Sequence, residues 1–282
     1  MNAQTLRSAQ QFLDIAGNEL LADEIQHGLT FGIAERLAEN PHLYGDADPW
    51  FVVVKNAEEV CATAMRTPPH RVILTHHASD VESVATELAQ AIHDIDPVIS
   101  GVVGTKQIAD AFTKTWAERS GQTVTDVMAQ RIYRLTELIE PNWSEGHFRQ
   151  ATLDDEEIVL AWIKAFHQEA MGKEFSPNES ERYRERIQNG EIFLWDDDGP
   201  TSMALKTRPM QSSITIGGVY TPPEQRNHGY ASSCVAALCK ELLTEYRYCV
   251  LYTDLSNPTS NAIYKKMGFK EYYDSVQYTY SE

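Results

Sequence analysis

Residues 214–235 read ITIGGVYTPPEQRNHGYASSCV, and the rest of the chain is best read outward from them. The apolar run Ile214–Tyr220 is interrupted by Gly217-Gly218 and stopped by Pro222-Pro223, which marks a strand with an irregularity near its end. A polar turn follows. Then Ala231, Val235, Leu238 and Leu242 recur at i, i+4, i+7 and i+11, the period of one helical face. The order is strand, turn, helix. The first turn of a helix carries unpaired N–H groups and the positive end of the helix dipole, so it attracts anions, phosphate above all. Gly229 removes the Cβ that would hold an anion away, Ala231 is nearly as small, and Arg226 adds a permanent planar cation. The Lys-Ser/Thr ending of an NTPase phosphate loop and the three-glycine dinucleotide fingerprint are both absent.

The stretch 250–269, VLYTDLSNPTSNAIYKKMGF, adds a second strand–helix unit. Asn257 before Pro258 reads as a helix cap followed by a first-turn proline, and Gly268 as a helix stop. Tyr264 alone reads equally as a core aromatic with its hydroxyl tied off. Together the two stretches resemble the GCN5-related N-acetyltransferases (GNAT). In that family an Arg/Gln-x-x-Gly-x-Gly/Ala loop holds the pyrophosphate of acetyl-CoA, matched here by Arg226, Gly229 and Ala231. A later Asn and a Tyr-x-x-x-Gly-Phe/Tyr helix are matched by Asn257, Asn261, Tyr264, Gly268 and Phe269. The resemblance covers roughly the last half of the chain.

It implies an N-acetyltransferase that moves an acetyl group from acetyl-CoA to a primary amine. The loop residues Arg226, Asn227, His228, Gly229, Tyr230, Ala231 and Ser232 would hold the cofactor. Val219, Tyr220 and Thr221 would meet its pantetheine arm from the strand, and Asn257 and Asn261 would contact that arm or hold Tyr264. Tyr264 would be the catalytic acid that protonates the departing thiolate, besides touching the cofactor. The base for the incoming amine is not identified; Glu169, Glu174, Asp254 and His167 are neighbours, each also readable as a solvated surface residue. An acyl-CoA-binding regulatory module without turnover is the alternative, although such a module would have no need of the tyrosine.

Composition supports a folded chain. At 282 residues, 42% hydrophobic and 10% aromatic, it is long enough for two domains with packed cores. The net charge of −17 disfavours nucleic acid as a partner. By halves it divides as −11 for residues 1–145 and −6 for 146–282, so the half with the anion loop is nearer neutrality. No apolar run has membrane-spanning length, and MNAQTLRSAQQ is not a signal peptide. Cys61, Cys234, Cys239 and Cys249 lack metal-ligand spacing. The expectations are a cytoplasmic protein with no metal and no membrane contact.

Along the chain, residues 5–40 read as two helices, the second striped by Ile25, Leu29, Ile33 and Leu37. Short strands follow near 51–54, 60–65 and 71–75. A helix with Val81, Val84, Leu88 and Ile92 comes next, then an apolar run to Val103, a helix with Ile108, Phe112 and Trp116, and a strand over 123–135. Residues 141–146 read as a linker. The second half repeats the order: a strand at 148–151, helices around 154–171 and 179–188, and strands at 192–195, 202–206 and 213–220. After the loop helix come a strand at 249–253, a helix at 258–267 and a terminal hairpin over 270–280. The fold class is therefore α+β (mixed α/β): tandem acetyltransferase-like domains, each a mixed, mostly antiparallel sheet flanked by helices. Residues 1–140 form a degenerate first domain and 147–282 the catalytic one. Where the second half has its anion loop, the first has Leu74-Thr75-His76-His77-Ala78-Ser79-Asp80. That segment has no glycine or arginine, and Asp80 would repel a pyrophosphate. His76 and His77 are adjacent and point apart, which makes a polar strand end rather than a metal site. The duplication implies a monomer holding its own pseudo-dimer, with a dimer as the other option.

Overall fold

The run Trp50-Phe51-Val52-Val53-Val54 has no polar alternation, which is what a strand covered on both faces requires. In the structure, a computed structural model that describes residues 1–171 and 177–282, this run is β2 (Trp50–Asn56). Trp50, Val52 and Val54 pack into one core, and Phe51 and Val53 into another. Ile192–Trp195 does the same in the second half: Ile192 and Leu194 face one core, Phe193 and Trp195 the other. Period-two geometry sorts each run onto two faces, and each face is closed by helices.

The chain divides into two compact units, residues 1–132 with 254–256 and 272–282, and residues 133–253 with 257–271. In the first unit the strands are β1 (Asn2–Leu6), β2, β3 (Glu59–Arg66), β4 (Val72–His76), β5 (Gly101–Thr105), β6 (Val124–Leu135) and the last strand, β12 (Lys270–Tyr280). Their order is β1-β2-β3-β4-β5-β12-β6. Helices α1 (Ala9–Ala22) and α2 (Glu24–Glu39) supply one core with Phe12, Leu20 and Leu37. Helices α3 (Val81–Ile95) and α4 (Lys106–Ser120) supply the other with Leu88, Ile92, Phe112 and Trp116.

In the second unit β7 (His147–Gln150), β8 (Ile192–Asp196), β9 (Pro200–Thr207), β10 (Ser213–Tyr220) and β11 (Tyr248–Asp254) lie in the order β11-β10-β9-β8-β7. Helices α5 (Glu156–Met171) and α6 (Pro177–Gln188) provide Val159, Trp162, Ile163 and Ile187 to one core. Helix α7 (Tyr230–Leu242) fills the other, with Ile263 and Tyr264 of α8 (Pro258–Lys266) packed against it. The class is mixed α/β with eight helices among the described residues. The pairs β4/β5 and β10/β11 are parallel, while β1/β2, β2/β3, β3/β4, β5/β12, β7/β8, β8/β9 and β9/β10 are antiparallel.

Three local expectations need correction. Residues 2–6 form a strand that pairs with Phe51–Lys55, although only Leu6 of them is buried and no apolar alternation announces it. The i+4 stripe on α2 is only part of its buried face: Ile25 and Leu37 are buried, Leu29 and Ile33 are partly exposed, and the rest of that face is His27, Gly28, Thr30 and Ala34. Successive i+4 steps drift about 40° around a 3.6-residue helix, so such a stripe does not follow one face. The terminal hairpin is one strand. KEYYDSVQYTY has no Gly, Pro or Asn-Gly to turn it, and Ser275–Thr279 run unbroken against Gly101–Thr105 of β5. Tyr280 closes it with a hydroxyl hydrogen bond to Thr113 at 2.8 Å. Residues 144 and 145, just before β7, hydrogen-bond to residues of the second unit.

Candidate acyl-CoA site

β10 is built to part from its neighbours. Its parallel pairing with β11 runs from Ser213/Tyr248 to Ile216/Leu251 and ends there, while β10 continues to Tyr220. On its other edge Gly217 faces Leu205 and Tyr220 faces Met203, so two β10 residues, Gly218 and Val219, stand opposite one on β9. This is a bulge. Gly218 permits it: its φ is +55°, and a Cβ there would sit 2.5 Å from Leu205 Cδ1. Gly217 meets no such constraint. Past the bulge, Ser202 Oγ donates to the Tyr220 carbonyl at 3.1 Å and lies 2.9 Å from Thr221 Oγ1, which fixes the strand's exit.

The chain then turns through Pro223–Gln225 into an exposed loop, with Asn227 at φ +68° and Gly229 at φ +83°. Gly229 is the N-cap of α7 and supplies no side-chain hydrogen bond to it. The helix therefore opens with bare N–H groups at Tyr230, Ala231 and Ser232, the Ser233 N–H being the first to reach back, to the Gly229 carbonyl at 3.0 Å. A Cβ at Gly229 would lie 2.7 Å from Ser144 Oγ. That hydroxyl donates to the His228 carbonyl at 2.8 Å, and the Ser144 N–H donates to Ser233 Oγ at 2.9 Å. Trp195 Nε1 holds the Glu145 carbonyl at 2.8 Å, so the segment before β7 buttresses the loop. The His228 and Tyr230 rings stack at 5.6 Å, and Tyr230 donates to Asp197 at 2.6 Å, a bond that raises its phenol.

Arg226 lies at the loop's start. Its Nε donates to the Thr221 carbonyl at 2.9 Å and its Nη2 to Glu169 at 2.7 Å. Glu169, on α5, also accepts from the Tyr220 hydroxyl at 3.2 Å. Tyr220 is buried, and burial together with this carboxylate pushes its phenol up.

Asn257 caps α8 by accepting from the Ser260 N–H at 3.1 Å. Asn261 Oδ1 accepts from Thr253 at 2.7 Å and Tyr133 at 3.0 Å, and its amide donates to the Asn257 carbonyl at 2.6 Å. Both asparagines thus have structural work in this arrangement. Tyr264 is half-buried, edge-on to Phe269 at 5.8 Å, and burial beside the Cys239 and Cys234 thiols raises its phenol. Of the neighbouring acid–base groups, His167 lies 3.7 Å from Glu179 and 3.4 Å from the Tyr183 hydroxyl. Asp254 accepts from the Ser256 N–H. Glu174 falls outside the described residues.

The corresponding place in the first unit differs in kind. Asp80 caps α3 through the Ser83 N–H at 3.1 Å, so a carboxylate already occupies that helix start. His77 directly follows the last residue of β4 and is half-buried. Its ring lies 4.6 Å from that of the buried His27, and burial lowers both pKa values, His27 to about 3. Among the described residues no cluster of His, Cys, Asp and Glu is arranged to hold a metal, and no helix is long and apolar enough to cross a membrane.

The family model described as FR47-like protein matches residues 201–278, which contain the bulge, the loop and α8. A GCN5-related N-acetyltransferase from Sphaerobacter thermophilus superposes with a TM-score of 0.64 at 18% identity, over 98% of this chain and 94% of that one. The chain has the GNAT fold. A GNAT-family acetyltransferase from Colwellia psychrerythraea aligns over the whole of both chains (TM-score 0.61, 13% identity). A tandem GNAT protein of the clavulanic acid biosynthesis pathway aligns over 100% of this chain and 98% of its own (TM-score 0.56, 13% identity). No curated protein sequence matches the chain. Within this GNAT fold the sequence pattern shows the loop, the bulge and both helices. The buttress from Ser144 to Ser233 and the Glu169–Arg226 pair carry no such pattern, because each joins residues that only folding brings together.

Proposed function

We propose that the protein is an N-acetyltransferase that takes the acetyl group of acetyl-CoA to a primary amine, and that the second unit carries the reaction. The observation behind this is the uncapped N-terminus of α7, placed directly after a strand that has left its parallel neighbour. The loop suits a pyrophosphate: three free N–H groups, a glycine where any side chain would meet Ser144, and Arg226 at its edge. Acetyl-CoA, when bound, supplies the thioester. The chain's own part is positional and electrostatic. Arg226 and the loop from Asn227 to Ser232 anchor the far end of the cofactor, while Val219, Tyr220 and Thr221 offer backbone groups along the open edge of β10. The bulge at Gly218–Val219 turns an N–H toward the place where negative charge develops on the acetyl oxygen. Tyr264, kept protonated by its surroundings, donates its proton to the leaving sulfur, with Asn261 and Asn257 fixing α8 beneath it.

The first unit, with its capped α3 and its acidic, glycine-free loop, serves in this reading as a structural partner of degenerate acetyltransferase type. The chain is read as a cytoplasmic monomer without nucleic-acid or membrane partners. All four cysteines are free and buried, in keeping with a reducing compartment. Incubating the protein with acetyl-CoA and a panel of amines, and following CoA release, tests the activity. Release with at least one amine class supports it. Tight acetyl-CoA binding without release across peptides, polyamines and small metabolite amines would favour the acyl-CoA-binding module instead.

A further inference from the structure

Arg226, the only fixed cation of the anion loop, does not point at open solvent. Its Nη2 is held by Glu169 Oε2 at 2.7 Å, while its Nε is held separately by the Thr221 carbonyl. The same carboxylate takes the Tyr220 hydroxyl on its other oxygen. Glu169 stands 57 residues away in sequence, on α5, and makes no other bond among the described residues. A carboxylate on a guanidinium uses the hydrogen-bond geometry that a phosphate oxygen would use, so the two anions compete for one donor. The pair is accessible: the arginine side chain is 43% exposed and the glutamate 47%. Such a pair is weak and exchangeable rather than a structural clasp.

From these contacts we propose that Glu169 is a built-in occupant of the phosphate site: it holds Arg226 in place in the free protein and must be displaced when a pyrophosphate binds. This rests on the cofactor reading of the loop but adds to it a residue on a different element, opposed to binding. The Nε bond to Thr221 keeps the guanidinium plane oriented during the exchange, so only the Nη2 contact changes partner. Displacement of Glu169 from Arg226 also disturbs the Tyr220 hydroxyl bonded to its other oxygen, which couples the loop to α5.

The test measures the Kd of acetyl-CoA, and separately of inorganic pyrophosphate, by calorimetry for the wild type, Glu169→Gln, Arg226→Gln and the double variant. Removing an exposed competing ion is worth up to about fivefold in affinity. Glu169→Gln is therefore expected to tighten both ligands about two- to fivefold, and the gain is expected to vanish in the Arg226→Gln background. The melting temperature of free Glu169→Gln should stay within a few degrees of wild type, so the effect does not come from misfolding. Unchanged or weaker binding in Glu169→Gln would overturn the proposal. So would an equal gain without Arg226, which would reduce Glu169 to a diffuse negative charge. If pyrophosphate shows the Arg226-dependent gain but acetyl-CoA binds no variant, the occupant role stands and the cofactor reading falls. If acetyl-CoA binds the wild type and Glu169→Gln equally, the reverse holds. Binding of neither ligand to any variant removes both.

Discussion

Half-buried Tyr264 and buried His27 show how differently two polar residues behave. No hydrogen bond to the Tyr264 hydroxyl is found among the described residues, and burial beside the Cys239 and Cys234 thiols raises its phenol. Tyr264→Phe keeps the ring against Phe269 and removes only the donor. As a general acid it should cost roughly 10²–10⁴-fold in kcat, with acetyl-CoA affinity nearly unchanged. A core tyrosine without a catalytic role would leave kcat intact. His27 is the opposite case, a buried base kept neutral. Its pKa falls from the ordinary 6.5 to about 3, first through burial and then through His77 and His76. Between those two values the unfolded chain binds a proton that the folded one refuses, so this contribution is full above pH 6.5 and is lost as pH falls toward 3. By pH 4 the loss should reach about 3 kcal/mol from this residue alone. Urea titrations at pH 7 and pH 4 measure it, and His27→Leu should remove most of the difference.

At the scale of elements, the critical feature is one extra residue in β10. Gly218→Val puts a branched side chain at φ +55° and into Leu205, strain of about 1–3 kcal/mol or more. The strand is expected either to lose that stability or to straighten and re-pair with β9. Either outcome should weaken acetyl-CoA at least tenfold while Gly217→Ala, with open space around it, costs far less. Paired melting curves and binding isotherms separate the two positions. Much of this level was legible in the sequence. The glycine pair, the double proline and the helical period of Ala231, Val235, Leu238 and Leu242 are local signals, and local signals survive without a structure. β1 was not legible, since its stability comes from the edge of β2 rather than from its own residues. Nor was the unbroken course of β12, which depends on β5, nor the buttress of Ser144 on Ser233, 89 residues apart. Sequence order likewise gave no sign that Glu169 and Arg226 would meet.

At the scale of the molecule, each unit has a sheet closed by a helix pair on each face, but the two units treat the equivalent helix start in opposite ways. α3 begins with Asp80 accepting the Ser83 N–H, and α7 begins with a bare glycine. The proposal of one anion site per chain rests on that difference. Calorimetry with acetyl-CoA on the wild type, Gly229→Glu and Asp80→Ala reads it directly. Asp80→Ala should lose some stability with its cap and keep the wild-type affinity within about twofold, well under a tenfold change. Gly229→Glu places bulk and negative charge among the α7 N–H groups. Expected is one acetyl-CoA per wild-type chain and no measurable binding to folded Gly229→Glu; undiminished binding to that variant would contradict the assignment of the site.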